Sequence, residues 1–206
     1  MIQITDFIDQ FPNTFPAHTQ MLPRELTEQL MEILHDTISK LDSSYAISNG
    51  IAIHESAVIE KGVILKGPIL ISENCFIGAH AYLRGPVFLG SSVRIGLGCE
   101  LKQSIILDHT AVAHFNYIGN SIIGSHVNFE AGAIAANHFN ERTDKKIAVL
   151  HKGEIVQTDI EKFGALVGDG SKIGANAVLS PGTILEKGSD VGRLELIDHL
   201  RANGHL

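Results

Sequence analysis

The 206-residue chain has no tryptophan, and aromatic residues make up only 6% of it. An aliphatic core is therefore expected in place of one built on large rings. It has only two cysteines, Cys75 and Cys99, too few for a disulfide framework. Positive charge is also scarce: 16 Lys and Arg stand against 23 Asp and Glu, a formal net charge of −7. That balance argues against non-specific nucleic-acid binding but leaves room for a local basic site. No apolar run approaches the ~18 residues of a membrane span, so no membrane partner is expected. The first residues carry no basic segment followed by an apolar one, so no secretory leader and a cytoplasmic location are expected. Charged residues are 19% and hydrophobic ones 44%, which excludes a disordered chain. Glycine, by contrast, is plentiful at 20.

The informative presence is a period. From Ile53, every sixth residue is Ile or Leu through Ile59, Leu65, Ile71, Ile77, Leu83, Leu89, Ile95, Leu101 and Leu107. Four positions after each stands a small or medium apolar residue, from Ala57, Val63 and Ile69 to Cys99, Ile105 and Ala111. Two inward positions in every six is neither a helical period nor a simple strand alternation. It predicts short strands joined by tight corners, three to a coil, stacked as a solenoid. The period stumbles after Ala113, where Ile118 and Ile123 lie five apart. It resumes at Phe129 and Ala135, breaks from about Asn137 to Lys162, and returns at Val167, Ile173, Leu179 and Leu185. About six coils are expected.

Three further segments flank or interrupt this solenoid. Residues 1–47 are expected to form an N-terminal helical cap, with Leu26, Leu30, Met31, Leu34, Ile38 and Leu41 on one stripe and Pro23 in the first turn. Residues 48–190 hold the solenoid, with an insertion over 138–162 that reads as a projecting hairpin around His151-Lys152-Gly153-Glu154. Residues 191–206 read as a short C-terminal helix carrying Leu194, Leu196, Ile197 and Leu200.

Few residues stand out as chemistry. Cys75 and Cys99 fall at inward positions and read as core filler. Lys66, Arg84 and Lys102 each follow an inward residue and recur once per coil, which predicts a stacked edge of cations. Like charges so placed repel by roughly 0.2–1 kcal/mol each unless something neutralises them. For Arg84 and Lys102 an anion such as a phosphate is the preferred partner, whereas Lys66 alone reads as a solvated edge. His114 sits at the stumble of the repeat, where a coil exposes side chains that regular packing would hide. A zinc site is the rival reading for the histidines: His109 and His114 are five apart, but His80 is too close in sequence to supply a third ligand two coils earlier.

The hexads resemble the left-handed parallel β-helix of the hexapeptide-repeat acyltransferases. The left hand is implied by the family, since parallel crossovers are normally right-handed. From Arg84 to Asn137 the chain resembles, without gaps, the acetyltransferase domain of bifunctional N-acetylglucosamine-1-phosphate uridyltransferases. It is closer still to the archaeal and bacterial sugar-1-phosphate nucleotidylyltransferase/acetyltransferases. Glu100-Leu101-Lys102, His114-Phe115-Asn116-Tyr117-Ile118-Gly119 and Val127-Asn128-Phe129-Glu130-Ala131-Gly132 carry the likeness.

The resemblance implies His114 as the general base, Glu100 as its orienting carboxylate, and Asn137 at the amine or thioester carbonyl. It implies Arg84, Lys102 and Tyr117 at the sugar phosphate, Asn128 at the sugar, and Asn137, Lys146 and Ala175 at coenzyme A. No metal is implied. His138 and Thr143 depart from the family pattern, with Arg142 or Lys145 as possible replacements for a lysine at 143. The implied protein is a homotrimeric, acetyl-CoA-dependent N-acetyltransferase acting on glucosamine 1-phosphate or galactosamine 1-phosphate. No Gly-rich nucleotide-binding segment precedes the solenoid, so a separate nucleotidylyltransferase is a candidate partner. The alternatives are a non-catalytic or regulatory trimer, an O-acyltransferase on a nucleotide sugar, and a zinc enzyme of the gamma carbonic anhydrase kind.

Overall fold

The computed structural model describes residues 2–199. Short strands from Ile51 to Ile197 wind into a parallel β-helix with three faces. The second face is a seven-stranded sheet, with one strand per coil from Val58–Ile59 to Asp190–Val191. The first and third faces join into one 13-stranded sheet, because Tyr82–Leu89 and Glu100–Ile106 run through the corner between them. This is the all-β hexapeptide solenoid expected from the sequence, with seven coils among the described residues where about six are expected.

Inward residues stack in columns. On the third face one column runs Leu65, Leu83, Leu101, Ile118, Ala135, Leu179 and Ile197. Each fully buried Ile or Leu in such a column stabilises the coil by about 1.5–3 kcal/mol. Cys75 and Cys99 are buried in the same core and donate to the carbonyls of Gly90 and Ala113 at 3.0 and 2.8 Å. Burial pushes the Cys75 thiol up to about 11, so it is packing, not a nucleophile.

The period shortens earlier than the hexads suggest. Arg84 pairs with Lys102, but Val87 pairs with Ser104, because Gln103 alone turns the corner that Gly85-Pro86 turns in the coil before. Gln103 does so at φ 49°, and Asn120 repeats the device one coil later at φ 46°. The inward residues are therefore Ser104, Ile106 and Val112, in place of the expected Ile105, Leu107 and Ala113. Leu107 instead joins a second core outside the coil.

That second core accounts for the N-terminal segment. The outward residues of the first face are themselves apolar: Leu70, Phe88, Ile105, Ile122, Leu166 and Ile184 lie in register. Phe7, Phe11, Phe15, Leu26, Leu30 and Leu34 cover them. The segment thus lies along a face of the solenoid and does not close its end. The single expected helix is two, Pro23–Glu28 and Leu30–Ile38, broken at Gln29. Ile33 is buried, whereas Met31 is exposed. The strand Tyr45–Ser48 pairs antiparallel with Ile51–His54 at the sheet edge.

The insertion forms the hairpin Ala148–His151 with Glu154–Gln157, turning at Lys152 and Gly153, both at positive φ. Its first strand packs back into the second core through Val149 instead of projecting freely. At the C-terminus the expected helix is replaced up to Ile197 by a further stretch of coil, with strands Asp190–Val191 and Leu196–Ile197. Residues 200–206 of that expected helix, Leu200 among them, lie outside the described residues.

Candidate active site

The third face carries the polar residues that the repeat spacing singles out. Its outward positions form two columns. One holds Lys66, Arg84 and Lys102 in register, followed by Gly119. The other holds Tyr82, Glu100, Tyr117 and Ile134. The once-per-coil edge of cations is thus a structural fact. Tyr82 separates two of them: the Lys66 ammonium is 5.2 Å and the Arg84 guanidinium carbon 5.6 Å from its ring centre.

Glu100 ion-pairs with Arg84, while the Arg84 Nε is buried without a hydrogen-bond partner among the described residues. Lys102 makes no ion pair with a carboxylate among the described residues. Its pKa is pushed down by burial first, then by the Lys162 and Arg84 charges, with Glu100 opposing. Arg84 and Lys102 thus stand side by side with Glu100 as their carboxylate, and Lys162 bears on Lys102 from a pocket that also holds Glu28 and Glu161; the adjacent cations suit an anion.

Gly119 opens the space beside them. A Cβ there would lie 2.5 Å from the Tyr117 hydroxyl and 2.9 Å from Cγ of Asn137. The missing side chain lets the Tyr117 ring lie across the glycine toward Asn137. Burial raises the Tyr117 pKa, and Glu100 adds to it, so the hydroxyl is held protonated as a donor. Asn137 is buried at 5% exposure, and its Nδ2 donates to Oδ1 of Asn120 at 2.6 Å. Its carbonyl accepts the Phe163 N–H at 3.1 Å, and the Asn120 carbonyl accepts the Gly164 N–H at 2.9 Å. The chain leaving the insertion is thereby tied to the site and delivers Lys162.

The remaining expected residues lie elsewhere. His114 is exposed at the corner between the second and third faces, and its ring makes no hydrogen bond among the described residues. Glu100 pairs with Arg84 and not with His114, so within one chain it does not orient that imidazole. Asn128 is exposed on the second face, beside Lys172 of the next coil. Ala175 shares the corner column of His114: Gly132 N–H donates to the His114 carbonyl, and Asn176 N–H to that of Ala131. Its own N–H is taken by Glu130 at 2.9 Å. Lys146 pairs with Asp159 at 3.1 Å on the insertion.

Arg142 lies over the Phe139 ring at 3.3 Å. Lys162, together with Arg84, bears on Lys102. No period places Lys162, because it stands at the end of the insertion. Asn120 stands within the five-residue step from Ile118 to Ile123, and that break in the period is its signal in the sequence. The histidines of the zinc reading separate: His109 stacks on His126 with ring centres 4.9 Å apart, at the corner before the second face, while His114 is at the corner after it. No cluster of metal-ligating side chains occurs among the described residues, nor is any helix there long and apolar enough to cross a membrane.

Comparison with known proteins adds the family context. Residues 65–161 match the model of a GMPPB C-terminal domain, and residues 164–192 match the hexapeptide repeat of succinyl-transferase. A bifunctional GlmU protein of Methanococcus maripaludis is 37% identical over 171 residues, 82% of this chain and 41% of that protein. A bifunctional sugar-1-phosphate nucleotidylyltransferase/acetyltransferase of Sulfurisphaera tokodaii is 31% identical over 73% of this chain and 37% of its own length. The chain thus spans about 40% of the length of these relatives. Among solved structures, PerB of Caulobacter crescentus in complex with CoA and GDP-perosamine is 16% identical, covering 84% of this chain and 70% of that one at a TM-score of 0.32.

Proposed function

Since the chain belongs to the hexapeptide-repeat acyltransferases, we propose that it transfers an acetyl group from acetyl-CoA to the amine of an amino-sugar 1-phosphate, with glucosamine 1-phosphate and galactosamine 1-phosphate as the acceptors. The observation that carries this reading is the cation cluster of Arg84, Lys102 and Lys162 beside the Tyr117–Asn137 pair. A phosphate is an anion that suits these adjacent cations, and the Tyr117 hydroxyl and Asn137 amide are polar contacts for the sugar beside it.

The amine attacks the thioester carbonyl, forming the C–N bond as the C–S bond breaks, and coenzyme A leaves as its thiolate. His114 takes the amine proton, a task suited to an imidazole near neutral pH. Holding the acceptor by its phosphate converts the encounter into a positioned reaction. His114 is exposed at a corner while the cations lie on the adjoining face, and Leu97, Phe115 and Leu196 expose apolar surface around that corner at 40, 65 and 53%. This arrangement supports a homotrimer whose sites form between copies, with Asn128, Lys146 and Ala175 facing the donor and sugar from a neighbouring copy.

Thiol release from acetyl-CoA with either sugar 1-phosphate tests the reading. Turnover is expected in the wild type and its loss, by about a hundredfold or more, in His114→Ala. A folded wild-type protein that releases no thiol with either acceptor overturns the assignment.

A further inference from the structure

The inside of the coil carries one side chain that packing does not explain. At the corner from the second face to the third, the residue that enters each third-face strand points into the core. From Val63 this column runs through Ala81, Cys99, Asn116, Ala133 and Ala177. Asn116 is its one polar member. It is buried at 2% exposure, and its Oδ1 has no hydrogen-bond partner among the described residues. A buried amide oxygen left unpaired destabilises the fold, so its presence in an apolar column calls for a reason.

The nitrogen of the same amide supplies one. Asn116 Nδ2 donates to the carbonyl of His114 at 3.3 Å. That bond spans Phe115, whose φ of 56° is costly for a bulky residue. Gly98 and Gly132 stand at the same place in the coils on either side. The same brace recurs at the corner from the third face to the first. Ser104 Oγ donates to the Lys102 carbonyl across Gln103, and Ser121 Oγ to the Gly119 carbonyl across Asn120, both at 2.8 Å. Gln103 and Asn120 also have positive φ. The braced carbonyls thus belong to Lys102, His114 and Gly119, all residues of the candidate site or its base. The Gly132 N–H of the next coil donates to the His114 carbonyl as well, at 2.8 Å. It ties coil to coil, whereas Asn116 holds the corner from within. The His114 ring is exposed and makes no hydrogen bond among the described residues, so its direction follows from the backbone that carries it.

We propose that Asn116 is a positioning residue for the acyl transfer, its buried amide fixing the corner from which the His114 imidazole reaches the acceptor amine. This rests on the reading of His114 as the general base. Stability is given up inside the coil because a base must be held to within about 0.5 Å of its working position.

Substitution at Asn116 tests the proposal by kinetics and by the motion of the ring. Asn116→Ala introduces the residue found at 81, 133 and 177, so the coil accepts it and the thermal midpoint stays nearly unchanged. In thiol release from acetyl-CoA with glucosamine 1-phosphate, kcat falls about tenfold while both KM values hold, as when a base is misplaced and binding is not. Asn116→Ser recovers most of that rate, because its hydroxyl reaches the carbonyl two residues back as those of Ser104 and Ser121 do. Added to His114→Ala, Asn116→Ala has no further effect, since it acts through the imidazole. Carbon-13 relaxation at Cε1 of His114, assigned by its loss in His114→Ala, shows a more mobile ring in Asn116→Ala than in the wild type or Asn116→Ser. A folded wild type that releases no thiol overturns the acetyl-transfer reading, and the relaxation data then decide the brace alone. Ring relaxation equal in wild type and Asn116→Ala overturns the proposal. So does an unchanged kcat in an active protein, a loss confined to KM, or the same loss repeated in His114→Ala.

Discussion

Lys102 holds its charge in a half-buried place where Arg84 and Lys162 both disfavour it. An incoming phosphate relieves all three groups together, so each should contribute to acceptor binding far more than to folding. A charge-assisted hydrogen bond is worth about 1.5–3 kcal/mol. Lys102→Ala and Lys162→Ala are therefore each expected to raise the acceptor KM by about tenfold to a hundredfold, while leaving the acetyl-CoA KM and the thermal midpoint nearly unchanged. Initial-rate kinetics with both substrates varied checks this, and a Lys162 variant that moved only the acetyl-CoA KM would assign that ammonium to the donor. At another residue the prediction concerns pH. The hydrogen bond from Arg193 holds the Glu130 carboxyl down to about 2, and the Ala175 N–H adds to this. A carboxylate depressed in the folded state stabilises it in full above the ordinary value near 4.5, and that stability is lost as the pH falls toward 2. The thermal midpoint should therefore fall across this window in the wild type, and fall less steeply in Glu130→Gln.

At the scale of the element, the corner and not the strand decides what the coil can do. Gly119 has no unusual backbone angle, yet a methyl group there would meet both Tyr117 and Asn137. Gly119→Ala should push the Tyr117 ring off Asn137, at an overpacking cost of about 1–3 kcal/mol. The acceptor KM should rise more than a generic loss of stability explains, as parallel melting and kinetic measurements would reveal. The strands themselves were legible in the sequence, because two apolar positions in six leave no other regular solution. The slip at Gln103 was not, since Leu107 fits the period as well as Ile106 does. Only a count of corner residues, one at Gln103 against two at Gly85-Pro86, separates the two registers. The Lys66–Arg84–Lys102 column was legible because it lies before that slip. Lys162 was not, because it reaches the same surface through backbone bonds from Phe163 and Gly164, a route with no period to follow.

For the whole molecule, the solenoid has two hydrophobic surfaces, an inner one and the outer side of its first face. The first residue of each pair announces the inner core. The outer column of Leu70, Phe88, Ile105, Ile122, Leu166 and Ile184 is spread through the same hexads and is easily taken for ordinary strand composition. It explains why the N-terminal aromatics are buried although no helical stripe assigns them: a parallel sheet apolar on both sides needs a cover. Phe88 is the test of that cover, since Phe15 packs edge-on against it with ring centres 4.9 Å apart. Phe88→Ala removes no inward side chain, so the coil itself should persist. The lost burial and the cavity left under Phe15 should still cost about 3–5 kcal/mol in urea unfolding. If helices and solenoid unfold as one unit, a single transition moves to lower urea with its slope unchanged. A separate early transition confined to the N-terminal segment would instead mean that the cover docks on a coil stable without it. In that case the hydrophobic column, and not the cap, is what requires explanation.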